Sequence, residues 1–335
     1  MAQQLRGAVL ADIGGTNARF MLTTDNGDSA VEHARVSDFG SVRDALGDFL
    51  KRHDSGQRVN AAVLGVAGPV LNNRCEMTNS PWVIDGAELS QAFGFNAVHL
   101  LNDFEVLAWS LPQLQDAELF PIGTAGQTAG VGPMLVLGPG TGFGVSCLIE
   151  GNGGPVAITT EAGHASLPAE TGREAAVVAR LRQRFGHASS FPHVSIEQGA
   201  LSGPGLQHLY QALADIDGIH IPQRDAAAIT RAALDGSCEV SRLALEMFCA
   251  LLGSVAGNLA VTFCARGGVF IGGGIVPRFP DFLAASAFRQ RFESKGRFQS
   301  YLRDIPTRLI MKSNATFIGL KARFATLTAA RKGGT

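Results

Sequence analysis

The stretch VLADIGGTNARF, residues 9–20, sets an acid and two adjacent glycines between apolar flanks. Apolar, β-prone runs on both sides, at 8–10 and 18–23, predict a strand, a tight turn and a second strand. Gly14 and Gly15 supply the crowded or left-handed backbone such a turn needs. A Walker-type loop would instead enter a helix and carry Gly-Lys-Ser/Thr, and no lysine occurs here. The pattern recurs 125 residues later in MLVLGPGTGFGVSCLI, residues 134–149, where Gly140-Thr141 replaces Gly15-Thr16. A third glycine cluster, GGVFIGGGIVPRF at 267–279, follows a short strand at 269–271. Any one of these turns reads equally well as an ordinary hairpin. Together, two of them with Gly-Thr at the tip, they offer backbone N–H groups and a hydroxyl to an anion, so a polyphosphate spanning two hairpins would use both.

Around these turns, strands alternate with helical patterns. The run at 98–101 precedes a 3.6-residue periodicity through Phe104, Leu107, Ala108 and Leu111, which indicates an α/β class. A chain of 335 residues exceeds what one core usually organises, and duplicated glycine hairpins predict two related lobes with a cleft between them. The Pro-, Gly- and polar-rich stretch 112–133 is the expected boundary. Residues 247–264 form an 18-residue uncharged run, but glycines, Ser254, Asn258 and Thr262 make it only weakly apolar, so a buried helix is expected rather than a membrane span.

Composition narrows the function. With 28 Lys plus Arg against 29 Asp plus Glu, the chain has no field that attracts nucleic acid or an anionic membrane, and a small-molecule partner is expected. Five scattered cysteines without a C-x-x-C pair argue against a disulfide framework and a zinc clamp. The N-terminus lacks the long apolar stretch and cleavage site of a signal peptide, which predicts a cytoplasmic protein.

Polar candidates cluster at element ends. Asn102 and Asp103 follow the strand at 98–101, where open α/β sheets place ligands. Either could simply cap the following helix, or Asp103 could act as a general base. Glu161 and His164 follow the β-prone run 156–160 and suit directional hydrogen bonds to vicinal hydroxyls, although a surface acid and a half-buried histidine are the plainer reading. Ser195 and Gln198 have capping-box spacing around Glu197.

Together, DIGGTNAR, GPGTGFG and GGGIVPRF resemble the first phosphate, second phosphate and adenosine motifs of the bacterial glucokinase family, of the non-ROK type. That family lies within the hexokinase, Hsp70 and actin ATPase superfamily. Further segments match in order and spacing: MTNSPW (77–82), LLNDFEVLA (100–108), EAGH (161–164), LSGPGL (201–206) and FESKGRF (292–298).

The resemblance implies a two-lobed actin-like, ribonuclease H-like α/β fold with a duplicated core. It implies a small α/β domain of residues 1–112 plus 314–335 and a large α+β domain of residues 113–313. It further implies a cytoplasmic homodimer that phosphorylates glucose at the 6-hydroxyl with ATP and Mg²⁺. By this likeness Asp103 is the general base, and Asn102, Asp103, Glu161, His164 and Glu197 bind the sugar. Ala11, Asp12, Ile13, Gly14, Gly15, Thr16, Gly138, Gly140, Thr141, Gly142, Gly272, Gly273 and Gly274 bind the nucleotide. Ala162 stands where the family often has glycine. A related kinase and repressor family carries a cysteine-rich zinc cluster after its Glu-Gly-His element. Here ASLPAETGREAA follows His164, so no protein-bound metal is expected, and magnesium enters only with the nucleotide, positioned by Asp12 through water. Competing readings are a sugar-binding regulator without phosphotransfer, a kinase for another hexose, and an actin- or chaperone-like ATPase, which would have no need of Asn102, Glu161 and His164.

Overall fold

The computed structural model describes residues 5–53, 59–77, 80–123, 129–186 and 193–333. Thr78 and Asn79 of the MTNSPW segment, and residues 124–128 of the expected boundary, lie outside the described residues. The chain divides into two compact units, Met1–Leu114 with Lys312–Thr335, and Gln115–Met311.

The first unit is built on one sheet. Strands β1 (Gly7–Ile13) and β2 (Asn17–Thr24) form the hairpin around Gly14-Gly15, with Asp12 opposite Arg19. Next to β1, β5 (Ala61–Val66) and then β8 (Ala97–Asn102) continue in parallel, while β3 (Gly27–Asp28) and β4 (Glu32–Arg35) extend the other side through β2. A separate two-stranded ribbon joins β6 (Arg74–Glu76) to β7 (Val83–Asp85). Both faces of the main sheet are covered, which explains why β1 and β5 are apolar at nearly every position rather than alternating. Val9, Ala11 and Ile13 enter a core with α1 (Val42–His53) and α2 (Gly86–Phe93). Ala8 and Leu10 enter another with α3 (Asp103–Ser110) and the C-terminal helix Ala315–Gly333, through Val106, Phe317 and Leu320.

This double coverage corrects the periodicity expected of α3. The structure buries Phe104, Val106, Ala108 and Trp109, and leaves Leu107 only half-buried. Val106 lies against the sheet at Gly65, and its carbonyl lies against the C-terminal helix at Gly319, where a Cβ would come within 1.9 Å of that oxygen.

The second unit repeats the plan. β10 (Met134–Pro139) and β11 (Phe143–Gly151) form the second glycine hairpin, β12 (Gly154–Thr160) extends it, and β13 (Gly268–Ile271) and β14 (Thr307–Ile310) run parallel beyond β10. The strand orders β3-β2-β1-β5-β8 and β12-β11-β10-β13-β14 therefore match, antiparallel on one side of the first hairpin strand and parallel on the other. β9 (Leu119–Ile122), within the segment read as a boundary, instead closes this sheet antiparallel to β14. One core gathers α4 (Gly172–Phe185), α5 (Ile196–Gly199), α6 (Gly203–Asp217), α7 (Ala226–Leu234) and α8 (Glu239–Phe263). The long apolar run belongs to α8, which is mostly buried in that core. Its glycines are contact notches: a Cβ at Gly253 would stand 2.1 Å from the Phe288 carbonyl oxygen, and one at Gly257 2.4 Å from that of Phe292.

Candidate functional site

In the first unit, β1, β5 and β8 end side by side, with Ile13 level with Val66 and Val66 level with Asn102. The first glycine turn and the Asn102-Asp103 pair therefore emerge from the same sheet edge, the ligand-binding edge of parallel sheets. The turn closes through the Gly14 N–H, which donates to the Asn17 carbonyl at 2.9 Å. Gly15 and Thr16 lie at the turn, and the Thr16 carbonyl accepts from Val36. Ala11 and Ile13 place their side chains in the core, and the Ile13 carbonyl accepts from Ala67 at 3.0 Å, so these two pack the hairpin rather than present side chains to a ligand.

The structure assigns the cap to Asn102. Asn102 is the N-cap of α3: its Oδ1 accepts from the Phe104 N–H at 2.9 Å, and its Nδ2 donates to the Gly68 carbonyl at 3.2 Å. Asp103, the first helical residue, accepts from the Phe104 N–H at 3.0 Å through Oδ1, and the Asn102 side chain also bonds to its carboxyl. Burial pushes its carboxyl up to about 6, and the nearby Asp12 carboxylate adds to the rise against the pull of the Phe104 N–H. A carboxylate with a pKa about 6 is a competent base at neutral pH.

Asp12 is held by a residue whose role the sequence reading did not identify. Arg19, across the hairpin, donates to Asp12 through Nε at 2.9 Å and through its terminal nitrogen. Its guanidinium also reaches the Ser313 carbonyl and Thr316 Oγ1, each at 3.5 Å, and lies over the Phe317 ring at 5.5 Å. The only signal in the sequence was the two-strand register, which puts position 19 opposite position 12.

In the second unit, β10 and β13 are parallel neighbours, so the second hairpin turn and the Gly272–Gly274 cluster leave the sheet together. Their approach requires glycine. A Cβ at Gly138 would lie 2.1 Å from the Gly272 oxygen, and Gly273 has φ +86° with a Cβ position 2.3 Å from the Pro139 oxygen. The turn closes through the Gly140 N–H to the Gly142 carbonyl at 2.8 Å, and the Gly203 N–H donates to the Gly140 carbonyl at 2.9 Å. Thr141 is exposed at the tip.

The three sugar candidates of this unit converge on Phe143, the first residue of β11. Glu197 accepts from the Phe143 N–H through Oε2 at 2.9 Å. Gly163, between Glu161 and His164, stands so close that a Cβ would be 2.3 Å from the Phe143 oxygen. Glu161 and His164 are each 64% exposed and 3.9 Å apart, open to solvent rather than locked to each other. The capping expectation around Glu197 holds in half: Ser195 Oγ accepts from the Gln198 N–H at 3.1 Å, but among the described residues the return bond from the Gln198 side chain to the Ser195 N–H does not form.

Beyond Gly274 lies a cavity of about 280 Å³ walled by Ala226, Thr230 and Leu234 of α7, with Ile275 and Arg278. Apolar walls beside two guanidiniums, Arg231 and Arg278, suit a flat heterocycle. Only the adjacency of Ile275 to the glycine cluster hinted at it; α7 lay unmarked in sequence. Among the described residues, no three His, Cys, Asp or Glu side chains group as metal ligands.

Comparison with known proteins shows what the chain is similar to. The family described as Glucokinase matches residues 9–327. A glucokinase of Nitrobacter hamburgensis is 42% identical over 312 residues, 93% of this chain and 95% of its own. One of Paramagnetospirillum magneticum is 43% identical over 314 residues, covering 93% and 95%. The crystal structure of a glucokinase from an Antarctic psychrotroph superposes with a TM-score of 0.84 at 38% identity, over 95% of this chain and 98% of that one.

Proposed function

Because the chain belongs to the glucokinase family, we propose that it transfers the γ-phosphoryl group of ATP to the 6-hydroxyl of glucose, with Asp103 as general base. The observation that carries this reading is the raised carboxyl of Asp103 at the sheet edge that also bears the glycine turn of Asp12. Asn102 fixes the start of α3, and the carboxylate of Asp103, its first residue, accepts the proton of a sugar hydroxyl. Asn102, Glu161, His164 and Glu197 orient the hexose by hydrogen bonds.

The N–H groups of the glycine turns suit a polyphosphate, and the cavity beside α7 suits an adenine ring. A single carboxylate at Asp12 fits a magnesium that keeps several of its waters. Bound with ATP, magnesium would supply charge neutralisation for the transferred group. Arg19 keeps Asp12 oriented: Arg19→Met should raise the Mg-ATP requirement about tenfold with a smaller change in turnover. Initial rates over a grid of Mg²⁺ and ATP concentrations check this; an unchanged grid would remove Arg19 from the reading.

We also place the chain, by family likeness, as a cytoplasmic homodimer with a ribonuclease H-like core in each unit, the matching strand orders supporting the last point. The decisive assay is ADP formation with and without glucose, extended to a hexose panel with ATP and ADP as rival donors. Glucose-dependent ADP formation is expected. Absence of stimulation by any hexose would favour a sugar-binding regulator or an ATPase.

A further inference from the structure

The sugar-ligand assignment gives Glu197 one task, yet its carboxylate is bonded to the second glycine hairpin. Oε2 accepts the Phe143 N–H at 2.9 Å, and a Cβ at Gly142 would lie 2.6 Å from the same oxygen, so the carboxylate is seated against the hairpin backbone. The backbone around Glu197 is fixed as well. Its carbonyl accepts from Ser202 Oγ at 2.8 Å, and the next turn of chain delivers the Gly203 N–H to the Gly140 carbonyl at the hairpin tip. The segment 197–203 thus grips the hairpin at two points, by a carboxylate at residue 143 and by a backbone N–H at residue 140. Among the described residues, Oε1 has no hydrogen-bond partner.

We infer that Glu197 is a positioning residue for the nucleotide hairpin, and that its two oxygens join hexose binding to nucleotide binding: Oε2 holds the turn while Oε1 takes a sugar hydroxyl. A carboxylate accepting a backbone N–H forms a charge-assisted bond, roughly twice as strong as a neutral one. A hydroxyl donating to Oε1 draws charge from that carboxylate and changes its hold on Phe143, so each ligand alters the affinity of the other, reciprocally. The inference rests on the kinase reading for the identity of the two ligands. The tether itself is independent of that reading.

The test is binding of Mg-ADP to the full chain without hexose, by calorimetry, for wild type, Glu197→Gln and Glu197→Ala. Positioning predicts that Glu197→Ala weakens Mg-ADP binding about tenfold. Glu197→Gln, which keeps an acceptor for the Phe143 N–H, should recover much of the loss. Amide exchange at Phe143 should accelerate in Glu197→Ala and less in Glu197→Gln, a readout that a sugar ligand alone would not move. Unchanged nucleotide affinity and unchanged exchange at Phe143 in both variants would overturn the proposal, even with hexose binding lost. Should the alanine variant fail to fold, Glu197→Met, which keeps the length of the side chain but not the oxygen acceptor, decides by the same two measurements. Failure of wild type to form ADP in response to hexose would instead remove the kinase reading and leave the tether measurable.

Discussion

Asp103→Asn is expected to lower turnover by about two to four orders of magnitude while changing glucose binding by less than about tenfold. The asparagine keeps the shape of the side chain and an oxygen for the Phe104 N–H, so the start of α3 survives, but it has no carboxylate to receive the hydroxyl proton. In wild type, kcat/KM should fall on the acid side with an inflection near the Asp103 value of about 6, since only the ionised form is a base.

A second signature follows from linkage. The folded-state pKa lies above the unfolded one, so the stabilising protonated form is lost as pH rises through about 6. Wild type therefore carries a cost at neutral pH on the order of 3 kcal/mol from this group. Asp103→Asn should melt several degrees higher than wild type at pH 8, and the difference should shrink as pH falls through about 6 toward 4. Near-wild-type turnover in a folded variant, or a flat profile between pH 5 and 8, would remove Asp103 as the base.

Gly138→Ala is expected to damage both stability and nucleotide binding. The new methyl would meet Gly272 backbone atoms at 2.1 Å and 2.5 Å, and no rotamer can relieve a clash with main chain. β10 and β13 must part by about 1 Å, which stretches the Gly272 N–H bond to the Leu137 carbonyl, now 2.8 Å. Overpacking of this kind costs about 3 kcal/mol. Both the second turn and the Gly272–Gly274 cluster leave the sheet at this point, so ATP affinity should fall about a hundredfold, more than two lost hydrogen bonds of roughly 1 kcal/mol each would give. Thermal melts and nucleotide calorimetry check the two effects. Gly140→Ala is the internal control for the melts, because a Cβ there meets nothing within 4 Å.

The hairpins were legible because their signals are local: glycine pairs between β-prone runs need no distant partner to be recognised. The strand before Asn102-Asp103 and the buried α8 were legible for the same reason. The face of α3 was not, since two layers cover that helix, and its inner positions depend on Gly65 and Gly319, far away in sequence. Nor was β9, whose Leu119–Ile122 sits in a turn-rich stretch and becomes a strand only against β14. At the site, residue types were readable and their bonds were not. Glu197 looked like part of a helix cap because Ser195 and Gln198 lie beside it, whereas its bond to Phe143 spans 54 positions. Arg19 looked like an ordinary strand residue. Its hold on Asp12 requires register, and its contacts with Thr316 and Phe317 require the far end of the chain.

That last contact bears on how the molecule is made. The first unit draws a core layer, and the support for Arg19, from residues 313–320, which are synthesised 294 positions or more after Arg19. Residues 115–311 can complete their own sheet earlier, while the N-terminal sheet waits with one face uncovered. Removing the helix Ala315–Gly333 should therefore cripple the first glycine hairpin and spare the segment translated in between.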